Sequence, residues 1–105
     1  MKQDDLTKIK QFIQISFEIE EALHISSLQK KILLTAVKLY EKDNHPTPIY
    51  TLTHSVNSVS ERSIYRHIKP LIKEGWVLVT QNPNDNRMKF IQPSKQLLQF
   101  LSSMV

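Results

Sequence analysis

SERSIYRHIKPLIK, residues 60–73, decides the reading of this chain. As an α-helix it places Arg62, Arg66, Lys69 and Lys73 on one stripe and Ile64, Ile68, Leu71 and Ile72 opposite. At about 100° per residue the four cations fall within an arc of roughly 60°. All four can then address one groove of a duplex while the apolar side faces a core. Ser60 is a good N-cap, its hydroxyl placed to accept from an amide of the first turn. Pro70 lacks the amide that would bond the Arg66 carbonyl, which predicts a kink or an early loosening near the third turn. Glu74-Gly75 supplies the stop, glycine being the usual left-handed terminator.

Working upstream, Ile49 to Val56 spells a helix of about two turns, and Asn57 after it tolerates the left-handed backbone of a tight helix-to-helix turn. Before that, Asp43-Asn44-His45-Pro46-Thr47-Pro48 breaks helical continuation, with Pro48 suited to the start of the next helix. A helix is expected over residues 27–43, where Leu28, Ile32, Leu33, Ala36, Val37 and Tyr40 recur at helical spacing behind a Ser26/Gln29 capping box. Residues 4–24 form a further helix with Asp4 and Asp5 at its dipole-favoured start. Its apolar residues, from Leu6 through Ile9, Phe12, Ile13, Ile15, Phe17 and Ile19 to Leu23, spread over roughly 200°, about twice what packing on one side needs. That excess points to a second packing partner.

Downstream, WVLVTQ (76–81) is rich in β-formers, residues 82–86 (NPNDN) are dense in turn formers, and RMKFIQ (87–92) alternates with period two. This is a β-hairpin with a polar tip. Pro93-Ser94 then caps a last helix with Leu97, Leu98, Phe100, Leu101 and Met104 at core-facing intervals.

The chain has 105 residues, enough for one domain and little more. Its formal net charge of +4 is unevenly placed: residues 1–58 hold seven Lys against seven acids, and residues 59–105 hold seven Lys or Arg against three. All the excess positive charge thus lies in the half carrying the basic stripe, which favours a polyanionic partner. With no cysteine there is no disulfide framework, thiolate zinc site or cysteine redox sensor. The start, MKQDDLTKIK, lacks the apolar stretch of a signal peptide, so neither export nor a membrane span is expected and a cytoplasmic location is the simplest reading.

The order helix, helix, turn, helix, hairpin predicts a mainly α (α+β) winged helix-turn-helix. The parts would be an N-terminal helix (1–25) with a dimerisation role, a DNA-binding core (26–93) and a short C-terminal helix (94–105). In a duplex complex Arg62 and Arg66 are placed to read base edges, because a guanidinium can bond two acceptors of guanine. Ser63 and Tyr65 flank them, and Lys69 and Lys73 would neutralise phosphates. Arg87 suits a narrow minor groove, with Lys89 on the backbone.

From Leu28 to Leu101 the chain resembles the MarR family of winged-helix transcriptional regulators. The likeness rests on LQKKILLTAVKLY, on SERSIYRHIKPLIKEGWV, and on Asp85-Asn86-Arg87 followed by Pro93-Ser94. By that resemblance the residues after Ser60 (Arg62, Ser63, Tyr65 and Arg66) would enter the major groove. Arg87, paired with Asp85, would enter the minor groove. The expected assembly is a homodimer through Phe12, Ile13, Phe17, Leu97 and Leu101, acting as a repressor.

His24, His45, His54 and His67 are too far apart in sequence to mark a metal cluster. The acids and serines form no catalytic motif, and a single glycine excludes a glycine-rich phosphate loop, so neither an enzyme nor a cofactor is expected. Two alternatives remain open on sequence: a winged-helix protein-interaction accessory module, favoured by the apolar excess of the first helix, and DNA binding in replication or partition.

Overall fold

A computed structural model of the chain describes residues 3–56, 60–82 and 84–104, and for residues 3–5, 82 and 85–87 the backbone alone. Among the described residues five helices and three strands follow one another: α1 (Gln3–Leu23), α2 (Ser27–Asp43), β1 (Thr47–Pro48), α3 (Ile49–Val56), α4 (Glu61–Lys73), β2 (Val77–Asn82), β3 (Asp85–Pro93) and α5 (Lys95–Ser103).

Local chemistry explains most of the boundaries. The Ser26 hydroxyl accepts from the Gln29 amide at 3.1 Å, and Gln29 Oε1 accepts from the Ser26 amide at 2.9 Å, closing the expected capping box on α2. Asn44 ends that helix at φ 58°, its amide donating to the Tyr40 carbonyl at 2.7 Å. At the end of α4 the Gly75 amide donates to Ile72 and the Trp76 amide to Leu71, with Gly75 at φ 82° between them. This is the paired closure a left-handed glycine permits. A side chain at Gly75 would also crowd the Gln96 amide oxygen, 3.1 Å from where its Cβ would lie. Ser94 caps α5 by accepting from the Leu97 amide.

Pro70 does not loosen α4 early. The helix runs through it to Lys73, and Leu71 immediately after it is buried. Arg66 and Pro70 are both exposed, so the carbonyl deprived of its partner amide lies on the solvent side, where water can satisfy it.

The sheet has one strand more than the expected hairpin. Thr47 and Pro48, read from sequence only as helix breakers, pair antiparallel with Ile91 and Phe90 to give the order β1-β3-β2. A proline is tolerated there because β1 is an edge. The hairpin is also tighter than expected: Asn82 already pairs with Asp85, with an irregularity in register at Gln81/Asn82.

The core gathers Ile32, Leu33 and Ala36 from α2, Ile49, Leu52 and Val56 from α3, Ile64, Ile68 and Leu71 from α4, Val77 and Ile91 from the sheet, and Leu97 from α5. Helix α2 packs on α3, α4 and β3, while α4 also packs on β2. Among the described side chains of α1 only Ile19 and Leu23 are buried. Residues 6–14 are exposed throughout. The extents, 53 × 25 × 25 Å, and the radius of gyration, 14.9 Å, reflect that outlying half helix; about 13 Å would fit a compact chain of this length.

Two expectations are corrected by burial. Leu97, expected to face a second copy, is 1% exposed and belongs to the core beneath α5. Ile72, placed with the apolar face of α4, is 42% exposed, since it lies at the margin of that face, about 100° round the helix from Leu71.

Candidate nucleic-acid interface

The site is built on α4. Ser60 is its N-cap as expected, with the hydroxyl accepting from the Ser63 amide at 3.2 Å. One turn on, the Ser63 carbonyl lies 2.8 Å from His67 Nδ1, so the ring donates from that nitrogen and is held along the helix. Ile64, Ile68 and Leu71 anchor the opposite face in the core. This anchoring turns Arg62, Arg66, Lys69 and Lys73 outward together, and all four are exposed. Among the described residues none of the four has an ion-pair or hydrogen-bond partner. Eleven residues of helix separate the first from the last, about 16 Å at 1.5 Å per residue. The result is a row of uncompensated cations on a rigid support, with its guanidinium groups nearer the N-terminal end.

Helix α2 packs against α4 and is also tied to it. Gln29 Nε2, on the side chain that also closes the capping box, donates to the His67 carbonyl at 3.3 Å. This polar tie lies beside the apolar packing of the two helices. Sequence spacing alone gave no sign of it, because Gln29 and His67 are 38 positions apart.

The wing flanks α4 on the Tyr65 side. Lys89 Nζ lies 5.4 Å from the centre of the Tyr65 ring, joining two residues singled out separately from sequence. The Tyr65 phenol is pushed above its ordinary pKa, first by burial and then by the Glu61 carboxylate, so it is a neutral donor at physiological pH. The side chains of Asp85 and Arg87, like Asn57 in the turn before α4, lie outside the described residues. Tyr50 was not singled out from sequence, yet it is half exposed on α3, the helix preceding α4. Its position at the first residues of a short helix gave no periodic signal.

A second, chemically opposite surface lies on α1. Leu6, Ile9, Phe12, Ile13 and Phe17 are all exposed, Phe12 at 71% and Phe17 at 60%. Phe12 edges an apolar groove of about 260 Å³ that Ile15, Ile19, Leu34, Leu101 and Met104 complete between α1, α2 and α5. The base of α1 is tied down by polar contacts. Lys30 Nζ donates to Ser16 Oγ at 2.6 Å and pairs with Glu20 at 3.3 Å, and Ser27 Oγ donates to the same carboxylate at 2.7 Å. Glu20 is held below its ordinary pKa, chiefly by the Ser27 hydrogen bond; burial opposes this and Lys30 reinforces it.

Trp76 packs obliquely on Phe100, with ring centres 6.0 Å apart, in a structural rather than a stacking role. Among the described residues no group of three His, Asp or Glu could hold a metal ion, and no helix is long and apolar enough to cross a membrane.

No family model matches the sequence, and no curated protein matches it. Solved structures do share its fold. The multiple antibiotic resistance repressor MarR is similar over 99% of this chain and 72% of its own, with a TM-score of 0.63 and 20% identity. Reduced AbfR bound to DNA is similar over 96% of this chain and 70% of its own, with a TM-score of 0.68 and 19% identity. The adhesin competence repressor AdcR from Streptococcus pyogenes covers 98% of this chain with 70% of its own, at a TM-score of 0.61 and 16% identity. These neighbours are MarR-family regulators. The fold is therefore a winged helix-turn-helix like that of MarR, mainly helical with a three-stranded antiparallel wing sheet, as expected from the sequence.

Proposed function

We propose that this chain is a sequence-specific double-stranded DNA-binding transcriptional regulator that acts as a homodimer and represses. The observation carrying the proposal is α4: four exposed cations, unpaired among the described residues, on one face of a helix whose other face is locked in the core. A helix so held beside a hairpin has the form that enters a major groove while the wing reaches across the backbone. Arg62 and Arg66 read base edges, Ser63 and Tyr65 flank them, and Lys69 and Lys73 bind phosphates. Arg87 enters the minor groove. Tyr50 contacts the backbone, since the helix before the recognition helix crosses it in such motifs.

The dimer is supported by α1. A row of large apolar side chains in water beside an open apolar groove marks an interaction surface. A second copy satisfies it with the same residues, Phe12, Ile13, Phe17 and Leu101. Repression follows the neighbours, two of which are named repressors, and AbfR has been solved on DNA.

Selection from a random duplex library, sequenced at two salt concentrations, tests the proposal. A dimer will enrich a palindrome whose arms lie about 34 Å apart or a multiple of that. Affinity that collapses with salt and enriches no motif leaves only phosphate attraction. A chain that also sediments as a monomer at tens of micromolar would instead offer α1 to a different protein.

A further inference from the structure

Lys89 occupies an unusual place for a residue expected to touch phosphate. On β3 it shares a face with Ile91 and Pro93, both buried, and across the hairpin that face carries Val77, Val79 and Gln81. The row passes from core at Val77/Pro93 to open surface at Gln81/Lys89. Lys89 therefore points toward α4, and its ammonium comes to rest 5.4 Å from the Tyr65 ring centre.

Tyr65 lies on the flank of α4 between the basic stripe and the wing, with its ring half buried. A lysine stem laid along the margin of a core covers apolar surface, while its charge gains from an aromatic face. On this face of the hairpin no described residue beyond Ile91 toward the tip is buried. The cation over the ring thus joins the open end of the wing to the recognition helix. Among the described residues this is the one contact that holds the Lys89 ammonium.

We infer that Lys89 is a positioning residue that sets the angle of the wing on α4 through its hold on Tyr65, rather than a direct ligand of the DNA backbone. The inference rests on the DNA-binding reading above and deepens it: Tyr65 and Lys89 act as one unit in placing the wing.

The test is a double-mutant cycle on the selected duplex, with the free protein examined by NMR. In the free protein the Lys89 ε-methylene protons shift upfield under the ring current, a shift kept in Tyr65→Phe and lost in Tyr65→Leu. Lys89→Met weakens specific binding about 2- to 5-fold per half-site, the size of an exposed cation–π contact. Lys89→Arg restores it, because a guanidinium serves the ring as well. In the Tyr65→Leu background, Lys89→Met costs nothing further. Unchanged melting temperatures separate these effects from loss of the fold.

Additive losses, with the salt slope falling by about one for Lys89→Met, would make Lys89 a phosphate ligand and overturn the inference. So would the absence of an upfield shift. If the unmodified chain binds no duplex at all, the DNA-binding reading falls first and the positioning role with it.

Discussion

Helices α4 and α1 expose opposite chemistries for opposite reasons. On α4 three isoleucine and leucine side chains are buried and four cations face water. Among the described side chains of α1 only Ile19 and Leu23 are buried, and five large apolar ones face water. The first surface is at rest in solvent, since ammonium and guanidinium groups are well hydrated. The second is not, because roughly 25 cal/mol is lost for each Å² of apolar area left in water. A polar face can remain open indefinitely, whereas an apolar face of this extent calls for a permanent cover. The difference separates a surface suited to intermittent contact from one that, under the proposed function, assembles the molecule.

The sharpest way to break this contrast is to attack the buried side of α4. Ile68→Ala should cost about 2 to 5 kcal/mol of folding stability, read by denaturant unfolding, because it opens a cavity beneath the basic stripe. A loss of less than about 1 kcal/mol would mean that α4 is not anchored there. Placing charge on α1 should act on association alone. Phe12→Asp with Phe17→Asp should weaken self-association by about 2 kcal/mol or more, as expected at the centre of an interface. Sedimentation would show monomers with an unchanged helical spectrum. A dimer that survived both changes would move the assembly surface elsewhere.

Next in size is the exposed side of α4. Arg66→Ala should weaken specific binding by about 1 to 3 kcal/mol per half-site. Its effect on stability should stay within about 0.5 kcal/mol, as for other surface changes. Unchanged affinity would turn the stripe away from the groove. The smallest effect concerns the foot of α1. Because Glu20 is held below its ordinary pKa, its contribution to stability is present above the usual glutamate range and is lost as pH falls through its lowered value. Melting temperature should therefore drop more steeply on acidification in the unmodified chain than in Glu20→Gln. Parallel pH profiles would show that the carboxylate does not hold α1 on α2.

How much of this was legible in the sequence depended on the range of the interaction. Helix α2, with its Ser26/Gln29 capping box, was readable because cap, period and stop lie within one continuous stretch. The same holds for α3, for the Ser60 and Ser94 caps, and for the Gly75 closure. Strand β1 was not readable: two residues carry no alternation, and proline signals a break whether or not an edge strand can use it. Leu97 and Leu101 share one helical pattern, and only packing shows that the first is core and the second borders a groove. In the site, the four cations and the wing followed from periodicity. The tie from Gln29 to His67 and the Lys30, Ser16, Glu20 and Ser27 cluster did not, because they join separate helices at spacings with no period.

The double use of Gln29 narrows what that position can accept. Capping boxes in general take Glu or Gln at this place with little preference, since only an acceptor is required. Here the same amide must accept from Ser26 at one end and donate to the His67 carbonyl at the other. A glutamate would preserve the first contact and set two oxygens against each other at the second. A substitution that is interchangeable for the helix thus ceases to be so for the domain, and the seating of α4 on α2 depends on a side chain outside the basic stripe.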